Sequence, residues 1–266
     1  MFSQAYDPPK YEDLDKYKVV DSAYLKCAYQ LTWIKNKKLN EKENDFQVLL
    51  IGKSTSKYYS QLTFDHRQSI KKHIGKGQYP ANRNWGAWSF VLFKNYPTSG
   101  NITVADIGSP LLGNFLYKEE TPVLNWTITE EKQKILSYNC MKATTSFRGR
   151  NYVAWFTSEI PIPNGPWKFG GLPGLILKLS DEEGHFVFEC SGIENLKKKE
   201  SIRFYQIEYT KTTYKDLARL YRRYHNDFTG YRNALGIMVV TVDPVTNKRQ
   251  ENPQGIKLPY NPIELE

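Results

Sequence analysis

The sequence predicts a mainly β, α+β protein: a curved antiparallel sheet or half-barrel with two helices packed on it. Three observations lead there. Aromatic residues make up 14% of the 266, with 19 Tyr, 13 Phe and 6 Trp, a composition that suits pleated sheets better than a helical bundle. Short runs of alternating apolar and polar residues recur at nearly even spacing, with Gly, Pro and Asn between them. Two segments alone read as helices, 65–74 and 214–228. The chain is long enough to bury a large core. It divides into an N-terminal arm over 1–22, a single β-rich domain over 23–246 and an extended tail over 247–266.

Taken in order, the arm is polar and carries Pro8-Pro9. Residues 24–34, 45–51 and 56–60 read as strands of a three-strand meander, with a polar connection over 36–44. The helix over 65–74 ends in Lys71, Lys72 and His73 before Gly75, the cation-then-glycine ending that a helix C-terminus favours. Turn residues fill 77–86. A hairpin follows over 88–96 and 101–107, and 110–113 breaks the pattern. Strands continue at 114–118, 125–129, 135–145 and 151–157, with Arg148-Gly149-Arg150 at a hairpin tip. Segments 175–179 and 185–191 make another hairpin around Asp181-Glu182-Glu183-Gly184, and 201–210 gives one more strand. In the last helix Thr213 caps the start and Asp216 sits at the capping-box position. Leu217, Leu220, Tyr221, Tyr224 and Phe228 form its apolar stripe.

The chain is organised around 164–180. Three Gly, two Pro, Trp167 and Phe169 fall within nine residues there. Leu172-Pro173-Gly174 reads as a type II turn, with Pro fixing φ and Gly174 accepting φ > 0.

The net charge of +9 and pI near 9.2 favour anionic partners. The basic residues are dispersed apart from Lys197-Lys198-Lys199, which argues against nucleic acid. His66, His73, His185 and His225 sit in no catalytic, phosphate-binding or metal motif. No catalytic residue, metal ligand or cofactor is assigned. Cys27, Cys140 and Cys190 read as buried small hydrophobes, with Cys140–Cys190 the pair to test if the protein is exported. No run is long enough to span a membrane as a helix, and the first nine residues lack the apolar core of an export signal. Aromatics beside cations point instead to binding. The candidate ligand-binding set is Arg148, Arg150, Trp155, Trp167, Phe169, Gly171, Pro173, Gly174 and His185.

The run Gly171-Leu172-Pro173-Gly174-Leu175-Ile176 resembles the motif that names the GLPGLI family, found widely in Bacteroidetes. Gly149-Arg150, Ala154-Trp155-Phe156-Thr157, Ile160-Pro161-Ile162, Gly165-Pro166, Ser56 to Ser60 and the closing Tyr260-Asn261-Pro262-Ile263-Glu264 resemble it too. The resemblance implies a periplasmic or cell-envelope protein and carries over no catalytic residue. A looser likeness to half-barrel envelope proteins implies a lipid or lipoprotein as cargo.

The function expected is therefore non-catalytic. An aromatic-lined groove beside the motif would hold a lipid, another amphipathic ligand or a segment of a protein partner. Two alternatives stand beside it: an envelope hydrolase using converging carboxylates and His185, and an assembly subunit docking on an outer-membrane protein.

Overall fold

The structure, a computed structural model, describes residues 14–74, 88–108, 111, 113–242, 246–251 and 253–265. The arm's first thirteen residues, Gly75, the 77–86 turn region and Pro110 lie outside the described residues.

The chain is mainly β. Its strands are β1 (Tyr17–Asn36), β2 (Glu41–Gly52), β3 (Ser56–Ser60), β4 (Phe90–Lys94), β5 (Asn101–Asp106), β6 (Phe115–Glu120), β7 (Thr127–Ile135), β8 (Tyr138–Phe147), β9 (Arg150–Thr157), β10 (Leu175–Asp181), β11 (Phe186–Tyr205) and β12 (Thr210–Lys211). They form one sheet in the order β12-β6-β5-β4-β3-β2-β1-β11-β10-β9-β8-β7. Neighbours are antiparallel, as hairpin connections dictate, except that β12 lies parallel to β6. A small ribbon pairs β13 (Val240–Val242) with β14 (Arg249–Glu251). The helices are α1 (Gln61–Ile74), α2 (Tyr214–Asn226) and α3 (Phe228–Ala234).

The two longest strands, β1 and β11, pair at the middle of the sheet from Tyr17↔Tyr205 to Trp33↔Phe186. This corrects two expectations. The polar stretch before Ala23 is not all arm, because Tyr17–Ser22 pairs with the end of β11. Residues 201–205 are not a new strand but the continuation of β11. Register shifts near Val19, Ala23 and Ala28 are bulges that let such long strands bend without breaking, and they erase the turn signals that normally mark strand ends. The meander β1-β2-β3 and the hairpin tip at Arg148-Gly149 hold. At that tip both residues take left-handed φ, 42° and 77°, which suits a two-residue hairpin turn.

The last helix divides. Asp227 leaves helical geometry (φ −146°), closing α2, and its side chain accepts from Gly230 N to cap α3. The described residues therefore hold three helices rather than two. Thr213 accepts from Asp216 N at 3.1 Å, the expected cap. Leu217 and Tyr224 of the stripe are buried.

Alternation along the strands gives the sheet two apolar faces. The larger core gathers Tyr29, Phe156, Phe169, Phe186 and Phe188 with α2 and the 164–175 segment. The smaller one gathers Val48, Leu50, Phe93 and Ile202, with Phe64 of α1 packed against it.

Candidate functional site

The loop between β9 and β10 carries the motif and folds on itself. Asn164 bridges to Gly170. Lys94 of β4, buried, donates to Asn164 Oδ1 (2.8 Å), Gly165 O (2.8 Å) and Phe169 O (2.6 Å). Burial pushes its pKa down to about 7, against three oxygen acceptors that favour the ammonium.

The type II turn is not formed. Gly174 N donates to Leu172 O at 2.7 Å, a three-residue turn centred on Pro173, and Gly174 does not take a positive φ. The left-handed residues are Trp167 (φ 49°) and Gly171 (φ 84°). Gly174 is required for space instead: a Cβ there would stand 2.0 Å from Thr157 O. A Cβ on Gly170 would meet Pro163 O at 2.8 Å. These glycines admit the chain's own backbone, not a ligand.

The predicted site residues separate into three groups. Phe169 is fully buried, its ring 4.5 Å from that of Tyr152 and 5.5 Å from that of Phe147. Trp167, 4% exposed, packs on Trp88 and Phe90 and donates to Glu264 Oε1 at 2.7 Å. Trp155 is half-buried on β9, while Gly171 and Pro173 are exposed at the loop tip. Trp167 and Phe169 thus pack into the core instead of lining a cleft, because large apolar rings fill the interior when the loop turns inward.

Arg148 forms the second group, together with Lys168, which lies outside the predicted set, and two carboxylates the sequence did not assign. Arg148 pairs with Glu119 at 2.6 Å and with Glu264. Lys168 stands 2.5 Å from Glu119 and 2.9 Å from Glu264, and Tyr214 lies under both cations, at 4.0 and 4.8 Å. Burial opposes charge on Arg148, yet Glu264 and Glu119 outweigh it and hold the guanidinium pKa up. Two cations meet two carboxylates, so the cluster is balanced and closed. It joins β6, the Arg148 tip, the motif loop and the tail. Of these partners, only the closing residues 260–264 carried a sequence signal, as part of the family pattern.

Arg150 and His185 form the third. Arg150 NH1 lies 2.8 Å from Asp181 Oδ2 and 3.2 Å from His185 Nδ1, while NH2 donates to Asn261 Oδ1 and Pro262 O at 2.8 Å. Glu183 Oε2 is 2.8 Å from His185 Nδ1. Asp181, Glu183 and His185 offer atoms within 4.8 Å of one another, a spacing a metal would accept, but the guanidinium already supplies the positive charge. Carboxylates thus converge on His185, as a hydrolase would need, around an arginine rather than a cavity.

An open cleft of about 460 Å³ lies elsewhere, lined by Lys35, Glu41, Tyr224, His225, Leu258 and Pro259. His225 packs at a tilt against the ring of Tyr260, 4.6 Å between centres, and its Nδ1 lies 2.8 Å from Tyr221 O. Burial pulls its pKa down, favouring the neutral ring. Cys27, Cys140 and Cys190 are free buried thiols, so the pair Cys140–Cys190 is not bonded here.

Comparison with known proteins adds a likeness. The family described as N-glycanase peptide, N-terminal domain, matches residues 120–217, the span from the end of β6 into α2. Two solved structures of PNGF-II, in C2 and P21 crystal forms, are similar to this chain, with TM-scores of 0.53 and 0.52 at 14% identity. They cover 82% and 84% of this chain, which spans 34% and 35% of theirs. That likeness shows the fold. No curated protein matches the sequence. No helix among the described residues is long and apolar enough to cross a membrane.

Proposed function

We propose that the chain is a non-catalytic cell-envelope domain of GLPGLI type that binds an amphipathic ligand or a partner segment. The observation that carries this reading is the closure of both charged clusters beside the motif. Arg148, Lys168, Arg150 and His185 are each held by carboxylates of the chain itself, and Asn261 and Glu264 tie the tail into them. Groups engaged in this way position a fold, and among these four none stands free of a carboxylate partner.

The ligand belongs in the 460 Å³ cleft rather than beside the motif. Tyr224, Leu258 and Pro259 provide an apolar floor, and Lys35 and Glu41 a charged rim, the pairing an amphipathic molecule asks for. A half-barrel is the shape in which Glu119, near one end of the strand order, reaches Arg148, near the other. The likeness to an N-glycanase N-terminal domain supports an accessory role on glycan-bearing partners.

Native mass spectrometry of protein purified from its own envelope, with lipid and carbohydrate analysis of the extract, tests the reading. A stoichiometric adduct is expected. An apo mass together with hydrolysis of a glycopeptide that His185→Ala abolishes would favour the hydrolase, the second reading, which the convergence of Asp181, Glu183 and His185 supports.

A further inference from the structure

On the face away from the motif, Lys57 points from β3 into the smaller core. It is 5% exposed, and its register neighbours are Leu50 and Phe93. Its Nζ stands 4.9 Å from the ring centres of Tyr59 and Tyr205 and 5.9 Å from that of Phe93. Among the described residues no oxygen acceptor or carboxylate bonds to it. The other two buried lysines, Lys94 and Lys168, each hold several oxygens.

Lys57 lines a small cavity together with Ser60, Thr63, Phe64 and Arg67, one face of α1 and its cap. Its volume is about 10 Å³, room for one water-sized occupant. Ser60 Oγ accepts from Thr63 N at 3.0 Å and donates to Asp45 Oδ1 at 3.0 Å, so the cavity lies at the helix N-terminus and the serine proton is directed elsewhere. Arg67, also buried, donates to Ser89 O and Ile107 O. Burial, Arg203 and Arg67 all disfavour the ammonium of Lys57; Glu200 favours it, but that carboxylate bonds to Lys26 at the rim.

We propose that this cavity binds a single monatomic anion of halide size, held by Lys57 Nζ at the N-terminal turn of α1. A buried ammonium with no bonded acceptor is costly, and a helix N-terminus offers amide donors and positive potential to an anion. The anion keeps Lys57 charged and pins α1 to the sheet.

The test uses the whole chain at pH 7, in sodium bromide and in sodium gluconate at equal ionic strength. Crystals grown in bromide should show an anomalous peak beside Lys57 Nζ. Bromide should raise Tm, saturably and by about 3 °C for partial site filling, and the rise should vanish in Lys57→Met, which keeps side-chain length and removes the charge. The absence of a peak in bromide-grown crystals overturns the proposal, and so does an equal bromide response in wild type and variant. Should the variant not fold, the wild-type crystal decides.

Discussion

A methyl group added at Gly174 meets Thr157 O at 2.0 Å, and nothing there can give way except backbone. Gly174→Ala should therefore destabilise by about 3 kcal/mol, measured by urea unfolding. At Gly171 the added methyl meets open space and only the left-handed φ opposes it, a cost of about 1 kcal/mol; the type II turn read from the sequence would put that φ cost of about 1 kcal/mol at Gly174 and none at Gly171. Glu264 is the other residue on which the region depends. Glu264→Gln keeps the shape and removes the charge that Arg148 and Lys168 share, leaving a buried excess of positive charge. A loss of about 3–5 kcal/mol is expected, and a change below 1 kcal/mol would show that the cluster is not what holds the tail. The motif announced a shaped loop, and the loop is there. Which glycine served φ and which served space was not legible, because that depends on where Thr157 and Pro163 return in space. Glu119 and Glu264 were unreadable as partners for the same reason: they lie 29 and 116 residues from Arg148.

At the scale of elements, periodicity located the hairpins, the meander and α2, since each depends on neighbours in sequence. It failed where pairing is long-range. The β1–β11 pair joins residues about the whole domain apart, and Tyr17–Ser22 is polar because this end of β1 runs past its pairing with β2, which begins at Ala23, and meets solvent. The split at Asp227 was hidden because the apolar stripe continues into α3 through Phe228. Capping, a local interaction, was read correctly. Thr213→Ala should lower stability by about 1 kcal/mol, with lost helical signal on heating as the measure; no change would mean that packing of Leu217 and Tyr224 alone fixes the helix start.

At the scale of the whole molecule, the net charge of +9 gave no warning that some cations are buried. Lys57 has its pKa pushed down to about 7, chiefly by burial, whereas the unfolded lysine keeps its ordinary value near 10.5. Between these two values the unfolded state binds more protons, so stability rises with pH through the window and is lost as pH falls towards 7. Above about pH 9 the raised thiols work the other way, Cys190 being pushed up to about 11 mainly by burial. In halide-free buffer, stability should rise from pH 7 to 9; Lys94, also pushed down to about 7 by burial, adds a slope of the same sign, so Lys57→Met should reduce the rise without abolishing it. An unchanged slope would place the titration elsewhere.

The central claim is that binding belongs to the cleft and the motif belongs to the scaffold. Native mass spectrometry on envelope-purified protein carrying either Leu258→Arg or Pro173→Ser tests it most directly. Leu258→Arg puts a charge on the cleft floor, and Pro173→Ser alters the exposed tip of the motif loop. The account predicts that the adduct disappears from the first variant and stays on the second, both folded. An adduct kept by Leu258→Arg and lost from Pro173→Ser would return the site to the motif and contradict the account.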